Sequence, residues 1–410
     1  MNTAVIQPAS NEFISSRVWL PKELLSVSLV VPGTLGVLVS RNQAATPPIT
    51  EADFCRRLSL LGRRSDLSVM AFTVEGVSPE DHSIRGYVHR NGVWTSGRFP
   101  LPDIVYNRCL HVHESQNVRR TLEDMAEQNS RKLIYWSRNL PGKWQVYRAL
   151  HAVDKVRPFV PPTAPYRDTA QLVEWLRRHS ELFMKPQTGT HGKSTLYLRL
   201  AEGGQGLLVQ GRDSRNRPFR RLFPELDAGL SWIHGIAHKR AYIVQPYLKL
   251  TSQSNHPFDV RALMQKDGKG YWRLTGFAVR EGRKGTLTSN LHGGGEAHPA
   301  EPYLREQFGV DTTRLIIGQM RVLSSTITRA LEERYGRLGE LGIDYGIDQS
   351  GNIWLLEVNS RPGRAAFFQT RQPECAFQSV NRPLEYARYL MTHSKATGPK
   401  GAGASLEHTV

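Results

Sequence analysis

Cysteine is scarce: three residues in a chain of 410. Cys55, Cys109 and Cys375 lie far apart and never in Cys-x-x-Cys spacing. That argues against a disulfide framework and against a thiolate zinc site, and it fits a reducing, cytosolic setting. Long apolar runs are missing as well. The longest mainly apolar, uncharged stretch, residues 24–39, is broken by Pro32, Gly33 and Gly36. It falls short of the roughly 20 residues a membrane helix needs and reads as two short strands about a Pro-Gly turn. Residues 1–11 have neither a basic start nor an apolar centre, so no secretory leader is expected there. No internal repeat is visible. Acidic residues are the minority, 37 against 54 Lys and Arg, for a formal net charge of +17. Such an excess favours encounter with polyanions such as nucleotides, acidic peptides, cell-wall polymers or nucleic acid; it equally describes a soluble basic protein with solvated arginines.

What is present suffices for a folded protein of two or three packed units, with 39% apolar and 9% aromatic residues. Residues 1–140 alternate short apolar runs with turn residues and a helical stretch at 54–61, which predicts a small α/β sheet. A helix is expected from Lys143 to Leu150 and another from Gln171, with a strand at 182–185. The arginine-rich stretch 211–222 carries Arg212, Arg215, Arg217, Arg220 and Arg221. It predicts a solvated loop or hairpin, or a polyanion site. From His393 the composition predicts a disordered tail.

The first chemical motif is Lys185-Pro-Gln-Thr-Gly189-Thr-His-Gly192-Lys193-Ser194. Its end imitates a P-loop. The pattern requires glycine where Gln187 stands, however, and its lysine and serine must open a helix. Here Leu196, Leu198 and Leu200 alternate, which predicts a strand. The segment is therefore a glycine-rich hairpin. Such a loop can aim backbone N–H groups at phosphate oxygens, with Lys185 as a point charge on the strand leading in. An ordinary mobile hairpin would look the same.

The second motif is a β-hairpin. The strands 341–347 and 353–359 flank a turn-rich Asp348-Gln-Ser-Gly351-Asn352. Strict alternation puts Ile353, Leu355, Glu357 and Asn359 on one face. Pairing Ile347 with Ile353 sets Asp344 against Leu356; a one-residue bulge sets it against Glu357. A carboxylate in so apolar a strand needs a partner or a metal. Asp344, Glu357 and Asn359 supply three oxygen donors suited to Mg²⁺, unless Glu357 and Asn359 merely occupy a solvated strand end.

Between these motifs, Tyr242-Ile-Val-Gln245-Pro-Tyr247-Leu248 runs from a strand into a proline break, where unpaired backbone groups can meet an adenine edge. Asp259 and Arg261 project from one face of a strand, Arg280 lies on another, and Ser289-Asn290-Leu-His-Gly-Gly-Gly295 is a polar, glycine-rich loop. The arginines and the loop suit a transferring phosphoryl group and a developing oxyanion. Each arginine alone would equally serve a salt bridge within a sheet.

Taken in order over residues 143–363, these motifs resemble the ATP-grasp superfamily. The 259–295 stretch is similar to ribosomal-protein glutamate ligases and glutathione synthetases. Leu101-Pro-Asp-Ile-Val-Tyr-Asn-Arg108, Gly142-Lys143-Trp144 and Arg361-Pro-Gly363 are similar to the spore-coat-associated YheC/YheD group. The resemblance implies an α+β ATP-grasp fold: a central subdomain at 141–243 and a C-terminal one at 244–392 clasp ATP, preceded by the α/β unit 1–140 and followed by a tail at 393–410. Carried over residue by residue, it implies that Lys143 and Lys185 bind the ATP phosphates under the loop of Gly189, Gly192 and Ser194. Gln245 and Leu248 would bind adenine, with Tyr247 beside it. Asp344, Glu357 and Asn359 would hold Mg²⁺, and Arg261, Arg280 and Asn290 would lie by the γ-phosphate and an acyl phosphate. Two departures stand out. Many relatives have Glu at the position of Gln245, which still accepts from an adenine amine. D-alanine ligases carry an arginine where this chain has Gly342, which would leave the oxyanion to Arg280. The implied activity is that of a cytoplasmic carboxylate–amine ligase, and the likeness to the spore-coat group adds association with the spore as a second location. Its substrates would be small molecules or peptides, some of them acidic, with no nucleic acid or membrane required. A phosphotransferase on the same fold and a non-catalytic spore-surface protein are the alternatives.

Overall fold

The computed structural model describes residues 33–189, 192–287, 289 and 294–395. Three sheets organise them. The N-terminal sheet has six strands in the order Val93–Phe99, Ser83–Arg90, Leu67–Ser78, Gly33–Leu38, Ile104–Asn107, Ile134–Trp136. Gly33–Leu38 pairs in parallel with a neighbour on each side, and Ile104–Asn107 pairs in parallel with Ile134–Trp136. The chain therefore switches direction across the sheet at Gly33–Leu38. The Pro-Gly turn expected at 32–33 is not formed on its described side. Gly33 opens a strand and Gly36 lies inside it, because added Cβ atoms would meet Met391 Cε at 2.1 Å and Pro102 Cγ at 2.7 Å. Residues 24–32 lie outside the described residues.

The middle sheet is antiparallel, in the order Pro218–Phe223, Leu207–Arg212, Leu196–Leu200, Glu181–Pro186, Tyr242–Pro246, Ala164–Pro165. The residues after Ser194 are thus strand, not helix. Helices Thr169–His179 and Leu226–Ala237 pack Leu172, Leu176, Leu230 and Ile233 onto one face. The first is well punctuated: Asp168 accepts the Gln171 backbone N–H at 2.8 Å at its start, and Arg177, Arg178 and His179 occupy its last turn. The arginine-rich stretch is a hairpin on the sheet's edge, with Arg221 over the Trp232 ring at 5.2 Å.

The C-terminal sheet runs Glu296–Pro299, Trp272–Glu281, Phe258–Lys266, Glu340–Ile347, Ile353–Asn359. Helices Lys143–His151, Ala300–Phe308 and Val310–Tyr335 bury one of its faces. The last helix, Pro373–Lys395, returns to the N-terminal sheet, where Val380, Leu384, Ala387 and Leu390 pack with Leu35, Val37 and Leu58. His393 to Lys395 are helical, so the tail expected from His393 does not begin there; residues 396–410 lie outside the described residues. Among the described residues no helix is long and apolar enough to cross a membrane.

Candidate functional site

Register assembles the site. In the C-terminal sheet Glu357 lies opposite Asp344, Asp344 opposite Arg261, and Arg280 opposite Asp259. Directly opposed residues share a face, so five charged side chains line one surface across four strands. The Ile347–Ile353 pairing holds, and a bulge beyond Tyr345–Leu355 brings Glu357 against Asp344. The same bulge overturns the simple alternation expected for 353–359. Ile353, Leu355 and Val358 are the buried core residues, while Glu357 and Asn359 turn to the opposite face. An extra residue in one strand reverses the phase beyond it. Leu356, the unpaired residue, has a carbonyl free of the ladder, and Lys185 Nζ donates to it at 3.2 Å from the middle sheet.

The arginines are in salt bridges. Arg261 grips Asp344 with two nitrogens, Nη2 to Oδ2 at 2.9 Å. Arg280 bridges Asp259 at 2.6 Å and Asp344 at 3.1 Å, and the Ser289 hydroxyl also donates to Asp259. Burial pushes both carboxyls upward. For Asp344, Arg261 and Arg280 outweigh burial and hold it below the usual range. For Asp259, burial wins, aided by the charge of Asp344, and the carboxyl titrates above the usual range. Neighbouring carboxylates driven apart in this way are a mark of sites as well as of ion networks. Gly342 has no room for a side chain: an added Cβ would meet Pro362 Cβ at 2.7 Å and Arg261 Nη1 at 3.2 Å. Arg261 thus fills the space that an arginine at position 342 would need.

Two lysines close the other side. Lys143 occupies the first turn of its helix, where the helix dipole disfavours a cation. Its Nζ sits 3.1 Å from Glu357 Oε1 and donates to the Gly189 carbonyl at 2.9 Å. Lys185 is half-buried between Glu357, Lys143 and Asp344; burial first, and Lys143 next, lower its pKa to about 8. The four cations Lys143, Lys185, Arg261 and Arg280 face the three carboxylates Asp259, Asp344 and Glu357, leaving one excess positive charge. The glycine hairpin is pinned from below: Arg240 Nη2 donates to Thr188 O at 2.6 Å and the Tyr242 hydroxyl to Ser194 O at 2.9 Å. Gly189 has φ +127° and Gly192 φ +69°, conformations that favour glycine.

On the same face of the middle sheet, Gln245 lies opposite Phe183 and Phe183 opposite Tyr197. Tyr247 stands edge-on to Tyr197 at 4.7 Å. Buried Gln245 donates to Thr163 Oγ1 at 2.6 Å, and Thr163 donates to the Pro161 carbonyl at 2.8 Å. That chain fixes the amide, leaving Oε1 as its acceptor. Pro246 falls just beyond Val244, where the ladder to Ala164–Pro165 stops. Half-buried Leu248 follows in irregular chain. Asn290 lies outside the described residues.

The expected residues Lys143, Lys185, Arg261, Arg280, Asp344, Glu357 and Asn359 therefore converge, with Gly189, Gly192 and Ser194 in the loop beside them. Asp259 was legible as sharing a face with Arg261 but had no assigned part. Among the described residues no group of three or more His, Cys, Asp and Glu side chains is clustered for a metal. The donor set available is two carboxylates and the Asn359 amide, whose Nδ2 points to Asp344 at 3.5 Å. That fits a hard cation that takes its remaining ligands from phosphate and water, and the Lys143 ammonium already occupies the cationic position beside Glu357.

Two facing sheets, a pinned glycine hairpin and a lysine reaching from one sheet to the other define an ATP-grasp fold. The chain belongs to the YheC/D-like ATP-grasp family, whose model matches residues 132–390. It is 26% identical over 353 residues to the endospore coat-associated protein YheC of Bacillus subtilis, covering 85% of this chain and 95% of that one. To YheD of the same organism it is 24% identical over 342 residues, covering 82% and 74%. Among solved structures it is similar to D-cycloserine synthetase DcsG, with TM-score 0.48 and 14% identity over 86% of this chain and 100% of that one.

Proposed function

We propose that the protein is an ATP-dependent carboxylate–amine ligase working through an acyl phosphate. One observation carries this reading: Lys143, Lys185, Arg261, Arg280, Asp344 and Glu357 converge from two sheets and the helix Lys143–His151 as a set of charges suited to a polyphosphate, while the cysteines, the strongest candidate nucleophiles in the chain, lie outside this cluster. Cys55 and Cys109 are buried in the N-terminal unit, and Cys375 lies on the site's face of the C-terminal sheet but packs over Gly276, four residues along the strand from Arg280. The phosphoryl acceptor is therefore a substrate.

Gln245 Oε1 accepts from the adenine amine, Tyr247 and Leu248 flank the ring, and Lys143 and Lys185 hold the phosphates under Gly189, Gly192 and Ser194. Asp344, Glu357 and Asn359 hold Mg²⁺, which supplies charge neutralisation on the phosphates. A substrate carboxylate oxygen attacks the γ-phosphorus, the bond to the β–γ bridging oxygen breaks, and ADP leaves. An amine then attacks the acyl carbon; phosphate departs with the C–O electron pair and the amine loses a proton. Arg280, with Asn290, stabilises the oxyanion. Closure of the hairpin excludes water from the anhydride.

The test is isotopic. With Mg²⁺-ATP and a productive carboxylate, hydroxylamine traps a hydroxamate, and ¹⁸O from the carboxylate appears in released phosphate. Turnover of a productive substrate pair without ¹⁸O transfer would falsify the ligase reading. A stable phosphorylated product in place of an amide would point instead to a phosphotransferase. The YheC and YheD relatives carry names that associate them with the endospore coat. An acidic coat or wall peptide would suit the +17 charge of this chain.

A further inference from the structure

The turn that follows the proposed metal-binding strand carries a guanidinium with nothing to hold. Arg361 Nε and Nη2 are both buried without a hydrogen-bond partner. Like any arginine guanidinium, the group stays charged at neutral pH. Its electrostatic neighbours are Cys109, Arg108, Tyr135 and Glu51. The only ionised carboxylate among them, Glu51, is engaged by Arg108 at 2.5 and 2.8 Å. A buried, uncompensated cation is costly to keep, and each specific orphan of this kind asks for a reason.

Its position supplies one. The parallel strands Gly33–Leu38 and Ile104–Asn107 are neighbours at the point where the N-terminal sheet reverses its chain order. Their carboxyl ends continue into Ser40 and Cys109, whose side chains meet at 3.5 Å. In open α/β sheets, ligands bind outside the carboxyl ends of strands at such a switch point. Helix Val112–Gln128 starts there too, and its N-cap residue, His111, makes no side-chain cap, which leaves partial positive charge at the same place. A second orphan is close by. Asn139 Oδ1 is buried without a partner, while its Nδ2 is turned to Ser115 Oγ at 3.3 Å. Leu140 N donates to Ser360 Oγ at 3.2 Å, so Asn139 and Arg361 each stand one residue from the same contact between the two units.

We propose that Arg361 and Asn139 form the seat of the amine-bearing substrate, and that this substrate is an α-amino acid or the carboxyl-terminal residue of a peptide. The planar fork of Arg361 takes the carboxylate through Nε and Nη2. Asn139 Oδ1 accepts from the ammonium or amide N–H. The assignment rests on the ligase reading for its place in the reaction, but binding at the seat is measurable without any reaction.

Calorimetry would use the full chain, with and without Mg²⁺ and a non-hydrolysable ATP analogue. Free L- and D-α-amino acids form one arm, short dipeptides a second, and the carboxyl-amidated counterpart of each the control. At least one acid should bind in the millimolar range or better, and its amide roughly 10- to 100-fold more weakly, as expected for loss of a charged hydrogen bond. Arg361→Met should erase that preference and Arg361→Lys should not restore it, since an ammonium lacks the fork. Because the guanidinium has no partner on Nε or Nη2, Arg361→Met should melt at or above the wild-type temperature. A lower melting temperature together with an intact carboxylate preference would assign Arg361 to structure and overturn the proposal. Equal binding of acids and amides, or no binding by any member of either arm, overturns it too. If amide synthesis is never detected yet the Arg361-dependent preference is, the ligase reading fails and the seat stands; if amidated substrates are ligated as fast as acids, the seat fails alone.

Discussion

Two buried ion clusters lie on the same strand and the same face, and they do different things. Asp344 and Glu340 are four residues apart on Glu340–Ile347, about 13 Å along a strand. Each is met by two arginines: Asp344 by Arg261 and Arg280, Glu340 by Arg108 and Arg364. The Glu340 cluster is closed. Tyr106 and Gln265 also donate to the carboxylate, Arg108 reaches Glu51 and the Pro362 carbonyl, and Arg364 reaches Ser379 and lies over the Phe54 ring at 3.8 Å. Its members come from the N-terminal unit, the C-terminal sheet and the final helix, so it ties the two ends of the chain together. The Asp344 cluster is drawn from one sheet and ends at half-exposed Glu357 and two lysines. A buried ion network therefore does not by itself mark a site. What separates the two is whether the network is sealed around its carboxylate or runs out to partly exposed charges.

The largest expected effect lies in the closed cluster. Arg108→Ala should destabilise the protein by about 3–5 kcal/mol, the usual result of breaking a buried pair and stranding its partner, and chemical denaturation would show it. A loss below about 1 kcal/mol would mean the cluster is not the tie described. Glu357→Ala should behave in the opposite way. Its partly exposed pair with Lys143 contributes about 0–1 kcal/mol, so the melting curve should barely move while ADP release vanishes. Wild-type ADP release in that variant would remove Glu357 from the metal site.

Lys185→Met sharpens the contrast, because here binding and stability should part company. Nucleotide affinity should fall by about 1.5–3 kcal/mol. The lysine titrates near 8 in the folded chain, below its ordinary value near 10.4. Its burial therefore costs stability in full below about 8, and the cost fades as pH rises from there to the unfolded value near 10.4. Nucleotide binding should run the other way: at pH values near and above 8, wild type should take up a proton on binding ATP and lose affinity as pH climbs. Calorimetry in buffers of different ionisation enthalpy reads the proton directly, and Lys185→Met should show none. The smallest effect is at the edge hairpin. Replacing Arg220 and Arg221 by Gln should leave ATP affinity unchanged and flatten the salt dependence of an acidic substrate's KM; a substrate KM indifferent to salt in wild type would remove the hairpin from recognition.

Much of the open cluster was legible because it is local. Asp344 and Glu357 share a hairpin, Asp259 and Arg261 share a strand, and a lysine before a glycine loop is a contiguous string. The bulge was visible only as an alternative, since spacing alone does not choose between two registers, and so the phase of residues 356–359 was misjudged. The closed cluster was not legible at all. Glu51, Arg108, Glu340 and Arg364 sit far apart in sequence, and their only signal was a carboxylate opening an otherwise apolar strand. The return of Pro373–Lys395 to the N-terminal sheet was equally hidden, for an amphipathic stripe does not say which sheet it covers.

That return has a consequence for how the molecule comes into being. As the chain leaves the ribosome, the N-terminal sheet is complete in its hydrogen bonds long before the helix that covers Leu35, Val37 and Leu58 has been made. That unit must wait, with this side covered, among the described residues, only by helix Ala52–Gly62, until Pro373–Lys395 has been made. Sequence-distant contacts of this kind slow folding, and a partly covered apolar face invites association in the interval. A chain cut short before Pro373 should then be caught as aggregate rather than as a shorter soluble protein, even though every strand of all three sheets is present in it.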